Sequence, residues 1–211
     1  MWRKMLIIVL IAAGLFLIAS PFLKESLIGF LSAKYNTDKL TATQLEKNNQ
    51  RDASYDFSKI QPPTFYETVK AGVRVNSRSV IGRIQVKRVG INLPILKGTT
   101  SANLLVGATT MRPDQQMGEG NYPLAGHHMR RENLLFGPLM RAKIGDEIRI
   151  TNLKKDYIYQ VINKKVVSES EGNVIEQTKA KQITLVTCDK PTRTPNRLIV
   201  TGKLVRETVH R

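Results

Sequence analysis

The sequence predicts a mainly β protein, an eight-stranded closed barrel with short helices, preceded by one N-terminal transmembrane helix. Three observations lead there. Residues 5–23 form an uncharged run of nineteen behind Arg3 and Lys4, close to the ~20 residues a helix needs to cross a bilayer. Residues 24–78 are polar, with sparse apolar positions. From Ser79 onward, short β-branched runs alternate with turn residues, the pattern of a β domain whose edges are removed by closure.

The apolar run is expected to be an anchor whose basic flank stays in the cytoplasm. A signal peptide cleaved near Ala19 and Ser20 is the alternative. Either way the remainder is exported. Leu27, Leu31 and Tyr35 recur at i, i+4 and predict a short amphipathic continuation of the helix. Pro62 and Pro63 then end any helix. This stretch reads as a spacer, or as one that folds back on the domain. Strands are predicted at 79–87, 91–98, 103–111, 121–129, 146–151, 156–168, 182–188 and 197–205, with one helical turn around 131–140. The division is an anchor at 1–23, a spacer at 24–78 and a barrel at 79–211.

Apolar residues make up 41% of the chain, enough to bury a core, which excludes global disorder. Net charge is +16, of which +11 falls within residues 79–211. Such a surface attracts polyanions. For an exported, tethered domain these are anionic lipid headgroups and acidic wall polymers. Nucleic acid is not expected, because no basic–aromatic interleaving or nucleic-acid motif is present.

The stretch "QITLVTC" ends in the only cysteine, Cys188. One exported cysteine forms no internal disulfide, so it is either an intermolecular crosslink or a reactive thiol. Lys190, Arg193 and Arg197 follow it, and cations lower a thiol pKa, whereas the adjacent Asp189 raises it. An inert buried cysteine is the bland alternative. A nucleophilic thiol needs a proton-transfer partner, usually histidine. Of the three histidines, His210 is next to last and expected to fray. His127 and His128 follow Gly126 at the end of an apolar run. Neighbours on a strand point to opposite faces, so one of the two can face the thiol. Arg197 opens the last strand nine residues after Cys188. Its guanidinium could hold a developing oxyanion if the two strands are neighbours, with Arg193 as rival. No metal or other cofactor is expected. His127, His128 and Cys188 lack zinc spacing, and Asp114, Glu119, Glu169, Glu171 and Glu176 do not form an oxygen-ligand loop.

"TLVTC" at 184–188 matches a T-L-x-T-C signature, and "LAGHH", "TLVTC" and "RLIV" run in the order His, Cys, Arg. In these motifs, and in its anchor, spacer and barrel, the chain resembles the class A sortases of Gram-positive bacteria. The resemblance implies a sortase-type barrel and a cysteine transpeptidase that cuts a Leu-Pro-x-Thr-Gly (LPxTG) sorting signal between Thr and Gly. By it, Cys188 forms a thioacyl intermediate. His127, directly after "LAG", protonates the leaving amine, and Arg197 orients substrate and steadies the oxyanion. Ala125, Val186 and Thr187 would bind the signal. The implied partners are secreted proteins carrying C-terminal LPxTG-type signals, the peptidoglycan precursor lipid II and the cytoplasmic membrane. The acidic cluster tied to calcium stimulation in some members is not found. Pilin-polymerising members carry a lid and a second membrane helix, and neither is read here. A cysteine protease using water as acceptor and a non-enzymatic basic wall-binding module remain as alternatives.

Overall fold

The structure, a computed structural model, describes residues 2–57, 60 and 64–210. Pro62 and Pro63, expected to end a helix, lie outside the described residues. The N-terminal helix α1 spans Trp2–Lys34. Among the described residues it is the one helix long and apolar enough to cross a membrane. It does not stop where the apolar run stops. Ile28 and Leu31 continue the same helix into the barrel's core cluster, with Leu27 and Tyr35 packed beside them.

Helix α2, Ala42–Asn49, starts from a capping box. Thr41 accepts from the Gln44 amide, and the Gln44 side chain accepts from Thr41 N, so both orphan amides are satisfied. Its Leu45 is fully buried, and Asn48 Nδ2 donates to Val80 O at 2.8 Å. Helix α3, Phe65–Arg74, follows. The polar segment therefore lies on the barrel, and Tyr35 Oη donating to Val75 O at 2.8 Å ties its two ends together.

The barrel comprises β1 Val80–Val86, β2 Ile91–Leu96, β3 Ala108–Thr110, β4 Asn121–Ala125, β5 Glu147–Thr151, β6 Lys155–Ser168, β7 Gln182–Cys188 and β8 Asn196–Val209. It closes in the order β1-β2-β3-β4-β7-β8-β6-β5, with β5 back on β1. Ile84, Ile95, Leu124, Ile148, Ile183, Leu185 and Val200 are fully buried inside it.

Three expectations are corrected. The strand predicted at 103–111 shortens to β3, because its start is helix α4, Ser101–Leu104. Thr100 caps that helix, and Asn103 Nδ2 donates to Lys97 O and Gly98 O. Capping outcompetes strand propensity where a side-chain acceptor meets the first free amides. The strand predicted at 121–129 ends at Ala125, which leaves both histidines in a loop. His210 is held rather than frayed: its amide donates to Lys154 O, and Nδ1 lies 2.7 Å from Asp156 Oδ1. The predicted helical turn is a 3-10 turn at Gly137–Arg141.

Candidate active site

Two pairings bring distant residues together. β4 runs parallel to β7 with Ala125 beside Val186, so the chain leaving β4 emerges next to Cys188. β7 and β8 are antiparallel, with Cys188 directly opposite Arg197. Directly opposed residues share a face of the sheet. The thiol and the guanidinium therefore stand on one side of the barrel wall, at the end where β4 and β7 finish and β8 begins. Arg193 is exposed in the intervening loop.

On that outer face lies a second, smaller apolar cluster. Val167, Val186 and Ile199 form its floor, and Met111, Val174 and Ile175 pack against them. Val174 and Ile175 come from the 3-10 turn Gly172–Ile175 in the β6–β7 connection. Alternation along β7 explains the split, since Ile183 and Leu185 point inward while Val186 and Cys188 point outward. Thr187 falls on the inward parity. It is buried, and its hydroxyl donates to Gly126 O at 2.8 Å. The structure thus places Ala125 and Val186 beside the apolar strip and Thr187 beneath it, bracing the loop that carries His127.

That loop is stitched shut. Phe136 N donates to His127 O at 3.0 Å, and His128 forms a bridge with Leu135. Gly126 sits under the buried Phe136 ring, where an added Cβ would come within 2.6 Å of ring carbons. The glycine is there because of close approach and not for flexibility. Gly126→Ala should therefore push Phe136 and the loop apart. We expect overpacking of about 1–3 kcal/mol, read as a lower Tm, with transpeptidation falling more than stability alone predicts. An unchanged Tm would mean that the ring moves freely.

The two histidines diverge. His128 Nδ1 lies 2.9 Å from Cys188 O, which ties the loop to the end of β7. His127 Nε2 is buried with no hydrogen-bond partner among the described residues. Burial, with a smaller contribution from the charge of Lys24, pushes the His127 imidazole down to about 4. Lys24 belongs to α1, which lies along this loop. Glu25 Oε1 accepts from Arg131 N at 3.3 Å, and a Cβ on Gly29 would meet Leu134 at 3.4 Å.

Cys188 is a free, half-buried thiol. Burial pushes its pKa up, Arg197 pulls it down, and Asp189 and Glu169 push it up again. Both shifts favour the uncharged forms, thiol and neutral imidazole. Sequence reading missed Glu169 as an active-site group. Its Oε2 accepts from Arg197 Nη2 at 2.6 Å, while Arg197 Nη1 donates to Thr194 O and Asn196 O, each at 2.9 Å. Of the five N–H donors a guanidinium carries, these bonds among the described residues engage three. Nothing local marks Glu169, because its partner is 28 residues away.

The other carboxylates weighed as calcium ligands include Asp114, paired with Arg112, and Glu119, paired with Lys181. Glu169→Ala should release one anchor of Arg197, lowering kcat about tenfold through misplacement while KM changes little. Loss of its negative charge should also move the alkylation midpoint of Cys188 to lower pH. A midpoint that stays put would confine Glu169 to a structural role.

A family model described as a sortase domain matches residues 84–205. Sortase A of Listeria monocytogenes is 46% identical over 204 residues, covering 97% of this chain and 92% of that protein. Sortase A of Bacillus anthracis is 35% identical over 199 residues, covering 94% and 92% respectively. The crystal structure of Listeria monocytogenes sortase A superposes with a TM-score of 0.63 at 53% identity, covering 63% of this chain and 92% of that one.

Proposed function

The chain belongs to the sortase family of cysteine transpeptidases, and from that premise we propose that it cuts LPxTG-type sorting signals of secreted proteins and joins them to an amine of a peptidoglycan precursor. The observation that carries the reading is the Cys188–Arg197 pair, side by side next to an outward-facing apolar strip. An extended peptide laid along Val186 and Ile199 would bring its scissile carbonyl to the thiol. The Arg197 guanidinium would meet the oxygen on which charge develops.

The steps start from thiol and neutral imidazole. As substrate displaces water, the Cys188 thiol gives its proton to His127, and Sγ bonds to the Thr carbonyl carbon. Collapse of the tetrahedral species breaks the Thr–Gly C–N bond, and His127 returns the proton to the departing Gly amine. The precursor amine then attacks the thioester, loses its proton to His127 and expels the Cys188 thiolate, which is reprotonated. We read α1 as a single-pass anchor holding the catalytic domain outside the cell, where exported proteins and the lipid-linked acceptor lipid II meet at the cytoplasmic membrane. Incubating the protein with an LPxTG peptide and a small amine, with mass spectrometry of enzyme and products, tests the reading. A +acyl adduct on Cys188 and an amide-linked product support it. Hydrolysis indifferent to the amine would make the protein a protease, and no turnover would overturn the assignment.

A further inference from the structure

Helix α3 sorts its residues by chemistry. At 100° per residue, Phe65, Val69 and Tyr66 occupy one sector, and Lys70 and Glu67 occupy the next. A sector of this kind normally faces a core. Here another side faces inward: Thr68 is fully buried, and α3 packs between α1 and α4. Tyr66 and Val69 are 69% and 45% exposed, which leaves this part of the apolar sector open.

What lies beside that sector is set by a ring contact. Phe65 meets Phe16 edge-on, with centroids 5.8 Å apart. Phe16 sits within the apolar run of α1, eight residues before the first charge after it, Lys24. At 1.5 Å per residue this is ~12 Å along the helix axis, less in depth if α1 tilts. Amphipathic helices lie about 5–10 Å into the boundary between headgroups and acyl chains, a depth that a tilted α1 would give Phe16. The Tyr66 ring carries Lys70 Nζ 5.4 Å from its centroid, an ammonium on a long stem that can reach phosphate while the ring stays at the interface.

We propose that α3 is an interfacial helix, seated in the outer surface of the same bilayer that α1 crosses, with Tyr66 and Val69 among the lipids and Lys70 at the headgroups. The proposal rests on the reading of α1 as a membrane anchor. A second attachment removes the rotation about α1 that a single span permits, and so fixes which side of the barrel faces the membrane-borne acceptor.

Fluorescence quenching in vesicles of phosphatidylcholine and phosphatidylglycerol tests this with the full chain. Trp2, the only native tryptophan, is replaced by Phe. Single tryptophans are then placed as Tyr66→Trp, Val69→Trp, Leu15→Trp for the span, and Lys203→Trp on the exposed surface of β8. With lipids brominated along their chains, emission at positions 15, 66 and 69 should fall about twofold, as for groups seated in acyl chains, while position 203 should be unaffected. Quenching at 15 without quenching at 66 and 69 would place α3 off the membrane and overturn the proposal. Absence of quenching at 15 would overturn the anchor reading and the proposal with it. Neither result bears on the cysteine chemistry.

Discussion

Cys188→Ala should abolish both the covalent adduct and the amide-linked product while leaving the fold intact. The thiol stands where β4, β7 and β8 converge. Removing a nucleophile that acts as a unit with its proton partner costs about 10⁴–10⁶-fold in kcat. The side chain is half-buried and in no disulfide, and the loop is tied to this residue through its backbone carbonyl and His128. Ala keeps that carbonyl, so Tm should shift by less than a few degrees. His127→Ala should lose activity to a similar extent yet still allow slow alkylation of the thiol. An active Cys188→Ala protein would return the chain to a wall-binding role with an inert cysteine.

Arg197→Ala should have the next largest effect, a loss of about 10²–10³-fold in kcat, the range for removing one oxyanion donor. Arg197→Lys should recover little, because an ammonium cannot keep the Thr194, Asn196 and Glu169 contacts while offering further parallel donors. A second readout needs no substrate. The positive charge of Arg197 holds the Cys188 thiol lower than burial alone would. Without it the thiolate forms at higher pH, so the midpoint of the iodoacetamide rate profile should move up. Glu169→Ala moves the same midpoint down, and the double variant should fall between the two. Equal midpoints in all three would mean that neither charge reaches the thiol.

Both predictions concern residues that periodicity and residue chemistry had singled out. Cys188 and Arg197 were legible because a strand ending in cysteine and a strand beginning with arginine, joined by a short polar loop, are natural neighbours in an antiparallel pair. The eight strands were legible through their β-branched runs, apart from β3 and the end of β4. At β3, the capping of α4 by Thr100 overrode an apolar run. After Ala125, the closed loop to Phe136 took the histidines out of the sheet. The signal at Gly126 was present, but its reason was not. Only the fold shows the Phe136 ring lying against it.

By itself the sequence determined what depends on local chemistry. It set the apolar length of the first helix, the strand pattern, the single thiol and the histidine and arginine available to it. The tertiary structure decided everything that depends on which strands are neighbours. Parallel pairing of β4 with β7 brings the loop that carries His127 and His128 beside the end of β7, across about 60 residues of sequence. The return of the β6–β7 connection brings Glu169 to Arg197, and the continuation of α1 past the apolar run sets Lys24 and Glu25 against the histidine loop. Nor could α3 be placed from its composition, since an amphipathic decamer suits a core as well as a membrane. Its contact with Phe16 is visible only in the fold, because long-range packing is selected by the shape and burial of the whole chain and leaves no mark in any short window of it.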